Sequence, residues 1–263
     1  MYTCFMQLYV RIFATPRLVH WNNFLVTLGL HGLGIDNYQN DLVSGERYIL
    51  QKFLGGKMNP IFIDVGAHVG DSAILAKQMC QSARIYSFEP NPTTYKILSK
   101  EGKKHGFKTY NAGVGSKSGK MTLYDSRAGD GSPFASLYPS VIQNIHQQKL
   151  IRHSVAMTTI DIFYKRYLKS KQVTLLKVDV EGYELEVLKG AKNTVKSGKI
   201  SAIQFEFNKM NVESRVFFQD FVELLPDWDF YRLLPHGTIK ISSQSLLGSE
   251  IFGYQNILAV KKI

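Results

Sequence analysis

Ile61-Phe62-Ile63-Asp64-Val65-Gly66-Ala67-His68-Val69-Gly70 decides how this chain is read. Ile61–Val65 is a short apolar run of strand length, and Asp71–Cys80 has helical spacing. A buried strand, a glycine turn and a helix in that order form the first half of a βαβ unit. Gly66 permits a sharp turn at the strand's carboxyl end and lets a ligand approach the backbone closely. Gly70 lets the helix start pack tightly on the strand, and free N–H groups there suit the carboxylate of a bound amino acid. A dinucleotide pyrophosphate would favour G-x-G-x-x-G, and Ala67-His68 lacks the middle glycine. The same glycines also suit a tight turn with no ligand.

Working outward, short apolar runs keep alternating with helical segments. Arg84–Phe88 reads as the second strand, Asn91-Pro92 opens the next helix, and Phe107–Asn111 is the third strand. Lys120–Tyr124 is an extra strand, Val173–Val180 the most buried one, and Ile200–Phe207 the next. Asp229–Leu234 and Gln255–Val260 alternate polar with apolar, as an antiparallel pair at a sheet edge does. The expected fold is α/β, a Rossmann-like, doubly wound, seven-stranded sheet whose last strand pair is antiparallel. Residues 57–263 form this domain, with an insert near 125–152, and residues 1–56 form an N-terminal helical extension acting as a lid or packing layer. The glycine-rich stretch 125–140 is the long irregular segment of an otherwise economical fold, and such loops are commonly functional lids.

Two further constellations sit where strands end. Glu89 closes the second strand 19 residues after Gly70, where a carboxylate accepts hydrogen bonds from both hydroxyls of a ribose. Asn91 follows it, and Asn111-Ala112 ends the third strand, where an adenine would lie. Asp64 would orient the glycine loop or meet the ligand's amino group. Asp179 and Glu181 lie past the end of the central strand, where ligands sit in open α/β sheets. They suit a base, a hold on a cofactor's amino group, or, with Glu206 and Asn208, a divalent cation; capping the following helix is the structural alternative for Glu181.

Composition narrows the class. The formal net charge of +11 lies wholly beyond residue 51, since Arg11, Arg17 and Arg47 balance Asp36, Asp41 and Glu46. Lysines at helical spacing form a solvated helix face or attract an anionic partner. No aromatic-interleaved RNA motif or zinc finger supports nucleic acid, so a nucleic-acid partner is not expected. Two cysteines, Cys4 and Cys80, give neither a disulfide framework nor zinc-ligand spacing, and a reducing, cytoplasmic setting is expected. No uninterrupted apolar run is long enough to span a bilayer.

The chain resembles the FkbM family of S-adenosylmethionine-dependent methyltransferases. The resemblance rests on Phe62–Gly70, Phe88-Glu89-Pro90-Asn91-Pro92, Thr159-Ile160-Asp161, Leu176–Glu184, Leu188-Lys189-Gly190-Ala191 and Asn256–Val260. It covers about residues 60–262 and not residues 1–56. His68, Gly113 and Ala135 stand where the family usually has asparagine, alanine and serine. The resemblance implies S-adenosylmethionine as cofactor, with Asp64, Gly66, Ala67, His68, Gly70, Glu89, Asn91, Asn111 and Ala112 as its contacts. It also implies methyl transfer to oxygen, often on a sugar, glycan or secondary-metabolite hydroxyl.

The residues agree in part. Base-methylating enzymes usually carry Asn/Asp-Pro-Pro-aromatic where this chain has Asp179-Val180-Glu181-Gly182. Asp179 or Glu181 is the expected base, with His146 and His153 behind them. Another small-molecule or protein acceptor, a nicotinamide-dependent oxidoreductase, and a binding module that kept only the fold remain as other readings.

Overall fold

The computed structural model describes residues 2–126, 135–145, 147, 150–242 and 246–262. The chain opens with helices α1 (Tyr2–Phe13), α2 (Val19–Gly32) and α3 (Glu46–Leu54). Strand β1 (Ile61–Val65), helix α4 (Asp71–Met79), strand β2 (Arg84–Phe88), helix α5 (Pro92–His105) and strand β3 (Lys108–Tyr110) follow. Next come β4 (Gly113–Val114), β5 (Gly119–Ser126), β6 (Leu150–Thr158) and helix α6 (Ile160–Phe163). The remaining strands are β7 (Leu175–Val178), β8 (Ala202–Phe207), β9 (Trp228–Leu234), β10 (Gly237–Lys240) and β11 (Gln255–Lys261).

The main sheet has eight strands in the order β10-β9-β11-β8-β7-β1-β2-β3. Pairing is parallel from β8 through β3, while β11 runs antiparallel to both β8 and β9. This is the expected doubly wound sheet with one strand more. The antiparallel pair is not at the edge, because hairpin β9–β10 adds a strand outside it. The connection between the two strands also contains β10. The extra strand of the sequence reading, β5, belongs to a second, three-stranded sheet ordered β4-β6-β5. The glycine-rich residues 127–134 of the insert lie outside the described residues, as does His146.

Every residue of β1, β7 and β8 is buried, as strands covered on both faces require. Ile61, Ile63 and Val65 enter one core with Phe205, Phe207 and Phe221, and Phe62 enters the other with Leu50, Leu98 and Leu175. Side chains alternate across a strand, so Asp64 shares the Phe62 face. The register makes a polar row there: Ser87 is opposite Asp64, Asp64 opposite Lys177, and Lys177 opposite Gln204.

The N-terminal segment divides in two. Helix α3 buries Ile49, Leu50 and Leu54 in the second core, against Phe62 and Leu233. Gly45 caps it at φ 80°, with Ser44 immediately before. Helices α1 and α2 contribute no buried residue from Cys4 to Gly32. No helix of the described residues is long and apolar enough to cross a membrane.

Candidate functional site

In an open α/β sheet the crevice forms where successive connections leave to opposite sides. Here that point lies between β1 and β7, whose carboxyl ends carry Gly66 and Asp179. Gly66 sits at φ +80°, and a Cβ there would overlap the Asp179 carbonyl oxygen. No side chain fits, so this glycine is a packing and conformational requirement. The Gly66 and Ala67 N–H groups donate to the Phe88 carbonyl at 3.0 and 2.9 Å, which pins the turn to β2. His68 takes the left-handed conformation at φ 48° and lines the cavity.

A cavity of about 710 Å³ opens at this point. Gly66, Ala67, Glu89, Pro90, Ala112 and Leu123 line it, together with Asp36, Asp179, Glu181, Glu206, Asn208 and Tyr254. Ala135 and Leu137, at the described end of the insert, reach the wall as well. Ser136 ties that end down, donating from Oγ to the Glu181 carbonyl at 2.8 Å and pairing its backbone with Tyr124.

Glu89 ends β2 with 7 % of its surface exposed. Its Oε2 accepts from the His68 N–H at 3.0 Å and its Oε1 from the Asn91 N–H at 2.8 Å. Burial pushes its carboxyl up to about 7 despite these bonds. Each oxygen keeps a further lone pair, so a pair of hydroxyls can still donate to it. Asn91 itself is spent elsewhere. Its Oδ1 caps α5 at Thr93 N, and its Nδ2 donates to Asp125 at 2.7 Å. Asn111 donates to the carbonyls of Glu89 and Pro90 at 2.9 and 3.1 Å. Both asparagines, expected as direct cofactor contacts, instead hold the Glu89 turn, and neither lines the cavity.

Asp64 is wholly buried and neither carboxylate oxygen has a hydrogen-bond partner. Burial lifts its carboxyl to about 6, against the pull of Lys177. Lys177 donates to Ser72 Oγ at 2.9 Å and to Asp179 Oδ2 at 3.2 Å, and lies 3.1 Å from Glu46 Oε1. Its ammonium is held well above the ordinary lysine range by Glu46, Asp179 and Asp64, which outweigh burial. Lys177 and Glu46 were missed as site residues. A lysine between Leu176 and Val178, in the most apolar strand, was a readable signal, because a buried lysine requires partners.

Asp179 and Glu181 are brought together at the cavity wall, as expected. Glu181 sits at φ 54° with Oε2 enclosed and unpartnered, and burial beside Asp179 and Glu184 raises its carboxyl well above the usual range. Glu184, not foreseen, accepts from the Val180 and Gly182 N–H groups at 3.1 Å each and so shapes the loop after β7. Glu206 accepts from Asn208 Nδ2 at 3.1 Å, and Tyr254 bonds to it. Asn208 Oδ1 takes the Met210 N–H at 2.8 Å. The set Asp179, Glu206 and Asn208 therefore spends its asparagine on its own turn. Among the described residues no three His, Cys, Asp or Glu converge as metal ligands. His153 lies away from the cavity wall, 4.0 Å from Asp125.

Three buried carboxyls raised toward neutrality set a pH signature for the ligand-free protein. A carboxyl whose folded pKa exceeds its unfolded value stabilises the fold below the unfolded pKa and loses that contribution as pH rises through the folded one. For Asp64, Glu89 and Glu184 the window runs from about 4 to about 7. Urea unfolding should thus show stability falling between about pH 4 and 7, by roughly 1 kcal/mol per group for each pH unit of its own window. Asp64→Asn should flatten part of that slope. A stability that rises across this interval would contradict the raised carboxyls of these buried groups.

Comparison with known proteins now bears on this geometry. Residues 64–231 match the methyltransferase FkbM domain. The methyltransferase sdnD of Sordaria araneosa is 29 % identical over 156 residues, covering 50 % of this chain and 60 % of that protein. The hexuronic acid methyltransferase AglP of Haloferax volcanii is 28 % identical over 159 residues, covering 58 % and 59 %. The chain thus spans about three-fifths of the length of these curated relatives. An O-methyltransferase from Bacillus cereus, solved in complex with SAH, aligns over 97 % of this chain and 96 % of its own at 12 % identity and a TM-score of 0.44. The matched span starts at Asp64 and runs into β9, so it takes in the Gly66 turn, Glu89, Asp179 and Glu206, and the chain belongs to the FkbM methyltransferase family.

Proposed function

We propose that the chain is an S-adenosylmethionine-dependent O-methyltransferase acting on a hydroxyl of a sugar, glycan or secondary-metabolite acceptor. The observation that carries this reading is Glu89 at the cavity wall, a buried carboxyl whose two oxygens are aimed by the His68 and Asn91 N–H groups and each keep a lone pair for a ligand hydroxyl. Asp64, wholly enclosed beneath the turn, faces Lys177 and does not line the cavity. Glu89, one strand over, suits ribose hydroxyls, and Ala112 with Leu123 offers an apolar wall for a base. S-adenosylmethionine, once bound, supplies a methyl group already activated on a sulfonium.

The chain's own residues then have three tasks: to hold that group, to seat the acceptor and to take its proton. Asp179 faces the cavity with its carboxylate fixed by Lys177, and it is the residue we assign to the acceptor's proton. Glu181, whose carboxyl burial beside Asp179 and Glu184 raises, we assign as a hydrogen-bond donor to the acceptor and not as the base. The name of the Haloferax relative supports a sugar acid as the acceptor class.

Titration calorimetry with S-adenosylmethionine, S-adenosylhomocysteine and NAD tests the cofactor. The first two should bind and NAD should not. Glu89→Ala should weaken S-adenosylmethionine by about 1.5–3 kcal/mol for each charge-assisted bond lost. An unchanged Kd in a folded Glu89→Ala protein would remove Glu89 from the site. In a methyl-transfer assay against sugar acids, Asp179→Asn should lower kcat by about 10²–10⁴-fold with cofactor affinity kept. A fully active Asp179→Asn enzyme would end its role as base.

A further inference from the structure

Helices α1 and α2 form a preorganised hairpin. Tyr9 donates from its hydroxyl to Asn22 Oδ1 at 2.6 Å, Asn22 donates to the Phe13 carbonyl at 2.9 Å, and Tyr9 stacks on Phe13 at 4.9 Å. The outside of this hairpin is apolar and open. Phe5, Leu8 and Ile12 recur along α1 at helical spacing, 65 %, 56 % and 52 % exposed. Trp21, Phe24, Leu25 and Leu28 follow i, i+3, i+4, i+7 along α2 and are also exposed. Soluble surfaces rarely leave such patches uncovered.

Two features choose the occupant. Residues 1–35 carry Arg11 and Arg17 and not one Asp or Glu, within a chain of net charge +11. Aromatic and leucine faces with flanking arginines are the composition of helices that lie in a lipid headgroup layer. A second copy would cover one seam, yet Met6, Val10, Val19 and Val26 are exposed apart from the two stripes as well. Lipid meets apolar side chains on several sides of a hairpin. Helix α2, at 14 residues, is about 21 Å long against a hydrocarbon core of about 30 Å, so it lies in the interface and does not cross it.

We infer that the α1–α2 hairpin docks this protein on an anionic lipid surface. Docking there sets the cavity beside the membrane. The chain leaves α2 through Gly34, packed on the backbone of Leu233, and reaches the cavity wall at Asp36 and Tyr38 within a few residues.

Vesicle flotation of the full chain tests this, using phosphatidylcholine alone and phosphatidylcholine mixed with phosphatidylglycerol. Binding should require phosphatidylglycerol and weaken with salt. Of the two tryptophans, Trp228 is buried and Trp21 is 49 % exposed. Emission should therefore shift to the blue on mixed vesicles, through Trp21. Arg11→Gln and Arg17→Gln should each weaken binding about fivefold, equivalent to about 1 kcal/mol. Phe24→Asp with Leu28→Asp should abolish it while S-adenosylhomocysteine affinity and the melting temperature stay unchanged. Absence of binding to mixed vesicles, or binding indifferent to Phe24→Asp and Leu28→Asp, would overturn the proposal. So would a concentration-dependent dimer that these substitutions dissolve and that ignores vesicles, which would give the surface to a second copy.

Discussion

Lys177 stands in the middle of β7, a strand buried on both faces, and the arrangement of the cavity depends on how its charge is met. An ammonium removed from water costs several kcal/mol unless neighbouring groups compensate. Three elements do so: Glu46 from α3, Asp179 from the loop after β7, and Asp64, its register partner in β1. Ser72 at the start of α4 completes the shell. One buried cation thereby fixes the helix that precedes the sheet, the floor of the glycine turn and the carboxylate at the cavity wall. Carboxylates gathered this closely repel one another. Lys177 offsets that repulsion for the nearest of them, while burial and Asp179 push the carboxyls of Glu181 and Glu206 up.

This distribution explains the division of roles within the cavity. At the Gly66 turn the protein offers backbone geometry and the Glu89 ledge, locked by bonds from His68, Asn91 and Asn111. At Asp179 it offers one lysine-held carboxylate among carboxyls raised by burial. A preorganised polar site of this kind costs little reorganisation when a ligand binds. Its supports are distant in sequence, as Glu46 and Lys177 show, and α3 is held both by that ion pair and by Ile49, Leu50 and Leu54 in the core.

The doubly wound sheet was legible because its central strands β1, β7 and β8 are fully buried and read as apolar runs bounded by turns. Gly66, Glu89 and Asp179 were legible because each ends such a run. The strand β6 was not, since only Val155 and Met157 of its nine residues face a small satellite core, which leaves little periodic signal. The short β10 pairs only with β9 at the sheet edge and was missed for the same reason. Asn91 and Asn111 stand where a ligand contact would, but hydrogen bonds to Asp125 and to the Glu89 and Pro90 carbonyls had claimed them. Sequence spacing places a side chain at a strand end. It does not say which neighbour takes its hydrogen bonds, because that depends on pairings tens of residues away.

The most direct measurement is a double-mutant cycle in urea on Lys177→Met, Glu46→Gln and the pair. Removing one partner of a buried ion pair leaves an uncompensated charge, so Lys177→Met should lose about 3–5 kcal/mol of unfolding free energy. Adding Glu46→Gln should restore part of it, with a coupling of about 0.5–3 kcal/mol. A Lys177→Met protein as stable as the wild type, or strictly additive losses in the pair, would contradict the account that this lysine holds the site together.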